Sequence, residues 1–126
     1  MEWIFRTDQP IYTQLVSQVT LAILSGEFPP GSRLPAVREL ASQAGVNPNT
    51  MQRAMAELEQ SGLIHSQRTS GRFVTDDRAV IDEARLRMAR RQAEVFWRGM
   101  AGLGYDRDRA LEILTEQKEE NEEANP

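Results

Sequence analysis

Three features of this sequence predict a mainly α-helical fold that carries one small β-hairpin, with a two-helix unit behind it. Three segments of helical periodicity fall between residues 11 and 60, two short β-prone runs flank Arg68-Thr69-Ser70-Gly71, and beyond Asp76-Asp77 the pattern lengthens into extended helices. The chain has 126 residues, enough for one modest domain and an appendage.

The first helix is written by Ile11, Leu15, Val19, Ala22 and Ile23, which recur at helical spacing after Pro10 and stop at Ser25-Gly26. Glu27-Phe28-Pro29-Pro30-Gly31-Ser32 is dense in breakers and reads as a turn. Pro35 suits the start of a second, short helix, whose apolar face is Val37, Leu40, Ala41 and Ala44. Gly45 is placed to end it in a left-handed conformation.

The third helix has the best-defined start in the chain. Asn47 can cap it through its side-chain oxygen, while Pro48 fixes φ at the first helical position and keeps Asn47 extended. Met51, Ala54, Met55 and Leu58 form its core face. Only Gly45-Val46-Asn47 separates the second helix from the third, and so short a joint reverses the chain steeply, as in a helix-turn-helix. Leu63 to Gln67 and Arg72 to Thr75 then read as two strands. Three helices followed by a hairpin is the winged helix-turn-helix order, assigned to residues 1–75.

Residues 76–126 read as a helical dimerisation region ending in an acidic tail. Ile81, Ala84, Met88, Val95, Phe96, Met100 and Leu103 roughly hold one helical stripe, broken by Gly102 and Gly104. Asp106 is placed as the cap of a last helix through Ala110, Leu111 and Leu114, with Tyr105 set to pack on Ala110. Two amphipathic helices have too little mutual core to offset their ordering entropy, so they need a partner, most simply the same pair from a second chain. Ile81, Ala84, Met88, Val95, Phe96, Met100, Leu103, Leu111 and Leu114 are the expected dimerisation residues.

The net charge of −4 is at odds with an anionic partner until its distribution is read. Residues 1–75 hold six arginines against six acids, so the whole deficit lies in residues 76–126, where thirteen acids face nine basic residues. Five of those acids crowd the final TEQKEENEEANP, which reads as a solvated tail. No apolar run approaches the roughly 20 residues that span a bilayer, so no membrane partner is expected. The N-terminus lacks the zones of a signal peptide, and the absence of cysteine fits a reducing cytoplasm.

The exposed face of the third helix carries the functional signal. Asn49, Thr50, Gln52 and Arg53 stand at its front, whereas Glu57 and Glu59 lie further back. A recognition helix meets base edges with its N-terminal residues, so acids are tolerated only at the rear. Asn and Gln pair with adenine, and Arg with guanine or a phosphate. An ordinary solvated helix face would also be polar, but the tight turn before it and the hairpin after it favour double-stranded DNA. A winged helix that docks a protein is the competing class. No acid pair, metal cluster or nucleophile constellation points to an enzyme, and no cofactor or metal is expected.

PIYTQL at Pro10 to Leu15, PPG at Pro29 to Gly31, LPAVREL at Leu34 to Leu40 and GVNPNTMQRAMAELEQSGLI at Gly45 to Ile64 resemble, in that order, the GntR family of bacterial winged-helix transcription regulators. NPNT is closest to its YtrA-like subfamily, whose short two-helix dimerising tail also resembles residues 77 to 123. The resemblance implies a homodimer bound to an inverted-repeat operator, commonly as a repressor of an operon that includes transporter genes. It places the DNA-contacting arginine of the second helix on Arg38 and the start of the recognition helix on Asn47, Pro48, Asn49 and Thr50, with Gln52 and Arg53 on the same face.

Arg33, Arg68, Ser70, Gly71 and Arg72 complete the expected DNA-binding set, Arg72 as a charge that could track a phosphate. Many family members have arginine where Pro48 stands, so an operator sequence does not carry over. The family's wing is close to Arg-Gly-x-Gly-Thr-Phe-Val, whereas this chain has Arg68-Thr69-Ser70-Gly71-Arg72-Phe73-Val74, with one glycine fewer at the tip. His65, the only histidine, reads as a strand residue near the DNA. Arg85, Arg87, Arg90 and Arg91 interleave with acids and read as a solvated flank. Phe96 and Trp97 point to different helix faces, Phe96 into a dimer core and Trp97 along its edge. A small-molecule effector of unidentified class is a further partner to be considered.

Overall fold

The computed structural model describes residues 1–124, with side chains as far as Glu122. The end of the acidic tail, from the Glu123 side chain to Pro126, lies outside the described residues. The chain forms two compact units, Met1–Arg85 and Leu86–Pro126. The boundary falls ten residues beyond the one expected at residue 75, because the first turns of the fourth helix close the first unit.

In the first unit, α1 (Ile11–Leu24), α2 (Val37–Ala44) and α3 (Pro48–Gln60) precede a hairpin of β1 (Ile64–Gln67) and β2 (Gly71–Val74), as the periodicity predicts. α2 starts two residues after Pro35, with Ala36 as its cap residue. Gly45 closes α2 at φ 70, and Val46 N–H bonds back to Ala41 O at 3.0 Å. Asn47 caps α3: its side-chain oxygen accepts from Asn49 N–H at 2.8 Å, with Pro48 at the first helical position.

Leu15 and Val19 of α1, Leu40 of α2, Met51, Met55 and Leu58 of α3, Ile64 of β1 and Val74 of β2 are fully buried in one core. Removing each such side chain from water contributes about 1.5–3 kcal/mol, so this cluster is what holds three short helices at their angles. Ile81 and Ala84 belong to the same core, at 5% and 2% exposure. Both were expected on the dimerising face. Their apolar surface is already buried within one chain, so α4 (Arg78–Gly102) opens as part of the winged unit.

Two features of this unit carried no signal in the sequence. The last residue of the segment read as a turn and the two after it supply a third extended edge: Arg33 pairs with Phe73, Leu34 N–H donates to Arg72 O at 2.9 Å, and Val74 N–H donates to Ser32 O at 2.9 Å. The N-terminal arm is also built in. Gln14 accepts from Arg6 N–H at 2.7 Å and donates to Arg6 O at 2.8 Å. Gln18, one turn later, accepts from Ile4 N–H at 3.1 Å and donates to Ile4 O at 2.7 Å. Alternate arm residues are thereby held as a strand would be, and Trp3 and Phe5 pack on the core between them.

The second unit holds the rest of α4 and α5 (Arg107–Ala124). Asp106 caps α5, its carboxylate accepting from Arg109 N–H at 2.8 Å. Ala110 is fully buried, while Leu86, Val95, Leu103, Leu111 and Leu114 are 45–73% exposed. Met88, Phe96 and Met100 are half-buried, and Phe96 meets Trp97 edge-on at 5.1 Å between ring centroids.

Candidate nucleic-acid interface

The N-terminal edge of α3 is set by its own sequence. Asn47 and Pro48 start the helix, and burial of Met51, Ala54 and Met55 rotates Asn49, Gln52 and Arg53 to the exposed side, with Thr50 half-buried. The capping bond commits the Asn47 side-chain oxygen and leaves its amide N–H groups as donors. Arg38 is exposed on α2, the helix that packs beside α3.

Arg53 is not a free-swinging cation. Its guanidinium lies 3.7 Å from the centroid of the Tyr12 ring, so a residue of α1 stacks under it. Tyr12 was absent from the expected site, since one aromatic near a helix start does not reveal which face of a later helix it will meet. Among the described residues, Arg33, Arg38, Arg53 and Arg68 are exposed and enter no ion pair, which leaves their charge available to phosphates.

The wing is a three-residue loop. Ser70 N–H bonds to Gln67 O at 3.1 Å, and Gly71 follows at φ 100. Among the described residues no other type than glycine has positive φ, so Thr69 in place of a family glycine meets no backbone strain. Gly71 has a second constraint: a Cβ built there would lie 3.1 Å from Arg33 Nε, so the Arg33 guanidinium runs along the glycine. Arg68 and Ser70 are exposed at the tip. His65 stands exposed on β1 with its ring stacked on Phe73 at 6.0 Å.

Arg72 differs from the other wing cations. Its Nε donates to Glu59 Oε1 at 2.6 Å, and Ser66 Oγ donates to the same oxygen. The Ser66 hydroxyl first, and then Arg72, hold the Glu59 carboxyl below the ordinary carboxylate value. The phosphate role expected for Arg72 therefore competes with a partner inside the protein.

These features have counterparts in known proteins. Residues 11–74 match the family described as bacterial regulatory proteins, gntR family. The HTH-type transcriptional repressor YtrA of Bacillus subtilis is 36% identical over 69% of this chain and 68% of its own length. A GntR family transcriptional regulator from Listeria monocytogenes superposes with TM-score 0.82 at 34% identity, covering 89% of this chain and 98% of that one. The DNA-binding domain of AraR in complex with operator ORX1 superposes with TM-score 0.55 at 29% identity, over 60% of this chain and 96% of that one. From its winged helix-turn-helix, its matched motifs and these relatives, the chain belongs to the GntR family of bacterial transcription regulators, which are not enzymes, and within it to the YtrA-like subfamily.

Proposed function

We propose that the chain works as a cytoplasmic homodimeric repressor that occupies an inverted-repeat operator, in an operon that includes transporter genes. The observation that carries this reading is the division of α3 along its length. Asn49, Gln52 and Arg53 are exposed at the end that a recognition helix inserts, and the acids Glu57 and Glu59 stand behind them. Arg33, Arg38 and Arg68 supply the surrounding cations, the pattern expected of phosphate contacts that set register while the helix reads bases.

The exposed leucines and Val95 of the second unit support the dimer, since apolar residues that find no cover within a chain are met most simply by a second copy. A dimer of this kind presents two recognition helices to successive major grooves about 34–36 Å apart, which is why the operator should be a palindrome. An effector of unidentified class stays part of the proposal. The open cleft beside Trp97 and Tyr105, of about 230 Å3, is small against the ~300–1,000 Å3 of ordinary ligand sites.

The test begins with selection of duplexes by the protein from a random-sequence pool, followed by gel-shift titration at several salt concentrations. Arg38→Ala should weaken binding to every selected duplex and reduce the salt slope by about one unit, whereas Gln52→Ala should change which bases are preferred. If no duplex is retarded, the protein-docking alternative takes its place. Light scattering at micromolar concentration should give a dimer, and Leu111→Glu should give a monomer. A monomeric parent removes the palindrome from the proposal.

A further inference from the structure

The wing departs from the family pattern at Arg72, and the structure gives that arginine a specific partner. Ser66 and Arg72 are directly opposed across the hairpin, so both side chains stand on one face of it, and both donate to the same oxygen of Glu59. Glu59 is the next-to-last residue of α3, the helix proposed above as the reader of DNA. One carboxylate thus joins the rear of the recognition helix to both strands of the wing. The pair is sheltered as well, with Arg72 and Glu59 side chains 23% and 32% exposed.

The location matters because the base of the hairpin is anchored by other means. Ile64 and Val74 are buried, and the Ser32–Leu34 edge bonds to Val74 and Arg72. Towards the tip, Gln67 to Gly71 are exposed. A two-stranded hairpin has little stability of its own, so the angle of its tip has to be set from outside. The Glu59 contact lies one residue pair from the loop, where it has most leverage on that angle.

We propose that Glu59 is a positioning residue for the wing: it grips the cross-strand pair Ser66 and Arg72, fixes the tip relative to α3, and makes Arg72 a brace instead of a phosphate ligand. The proposal rests on the operator-binding reading above. It predicts the opposite sign from simple electrostatics. A carboxylate near a DNA backbone repels it, so if charge alone acted, removing Glu59 and releasing Arg72 would tighten binding and steepen its salt dependence. A brace predicts weaker binding, because the tip no longer arrives in place.

The experiment compares the full-length parent with Glu59→Ala, Arg72→Ala, the double variant and the milder Glu59→Gln. One readout is amide hydrogen exchange of the hairpin in the free protein, and the other is a salt titration on a duplex that the parent selects from a random pool. Each alanine variant should speed exchange from Gln67 to Arg72 and weaken binding by about five- to tenfold, the double variant should be no worse than either, and the salt slope should stay at the parent value. Glu59→Gln should fall between parent and Glu59→Ala. Tighter binding by Glu59→Ala, or a slope about one unit shallower in Arg72→Ala, would overturn the brace and make Arg72 a phosphate ligand restrained by Glu59. If the parent selects no duplex, the operator reading fails separately. Exchange in the free protein then decides the brace: faster exchange in both alanine variants supports it, and unchanged exchange overturns it.

Discussion

Replacing Gly71 by alanine tests the wing in a way that separates backbone strain from loss of a DNA contact. Gly71 sits at φ 100, and a side chain held in that region costs about 1–2 kcal/mol. The new methyl carbon would also lie 3.1 Å from Arg33 Nε, closer than ordinary contact, and 3.5 Å from its Nη2, an ordinary contact distance. Because Arg33 is exposed, its side chain can swing away, and this adds only roughly 0.5 kcal/mol or less. Gly45 provides the control. It has φ 70 but open space around its missing Cβ, so Gly45→Ala carries the strain without the collision. Both variants should therefore lose roughly 4–8 °C in Tm at equal protein concentration. They should part company on DNA: displacing Arg33 makes the salt slope of Gly71→Ala about one unit shallower, while Gly45→Ala keeps the parent slope whatever its affinity. A Tm loss for Gly71→Ala far above that of Gly45→Ala would mean that Arg33 cannot move. An unchanged slope would show that Arg33 makes no phosphate contact from this position.

Two further outcomes follow from the contacts around α3. Asn47→Ala removes the cap bond to Asn49 N–H and should lower unfolding free energy by about 1 kcal/mol in urea titration, with an unchanged m-value; no shift in midpoint would mean that water replaces the cap fully. The Glu59 carboxyl is held below its ordinary value of 4.5, chiefly by the Ser66 hydroxyl and then by Arg72, so its contribution is present above that value and lost as pH falls through the lower folded value. Parent and Glu59→Gln should then differ in stability at neutral pH and converge as the pH falls through that lowered folded value, and a difference that persists once Glu59 is protonated would assign the effect to shape instead of charge.

Local chemistry carried much of this fold into the sequence. Asn47-Pro48 announces the start of α3 because a cap and a fixed φ act within one turn, and Gly45 announces the end of α2 for the same reason. The faces of α1 and α3 could be read because burial repeats at the helical period. Asn49, Gln52 and Arg53 were legible as an exposed edge as soon as Met51, Ala54 and Met55 were assigned inward.

What only the tertiary structure decided is how groups with more than one satisfactory partner are used. Arg72 could have met a phosphate, water or an acid, and it is the approach of α3 to the hairpin that delivers Glu59, thirteen residues earlier in the chain. Tyr12 reaches Arg53 only because α1 packs across α3. Ser32 to Leu34 carry no strand signal until β2 offers them a ladder, and the two glutamines of α1 look like surface until the N-terminal arm lies beside them. Ile81 and Ala84 show the same limit for apolar residues. Periodicity says that a face is buried but not what covers it, since a neighbouring element and a second chain remove the same surface from water.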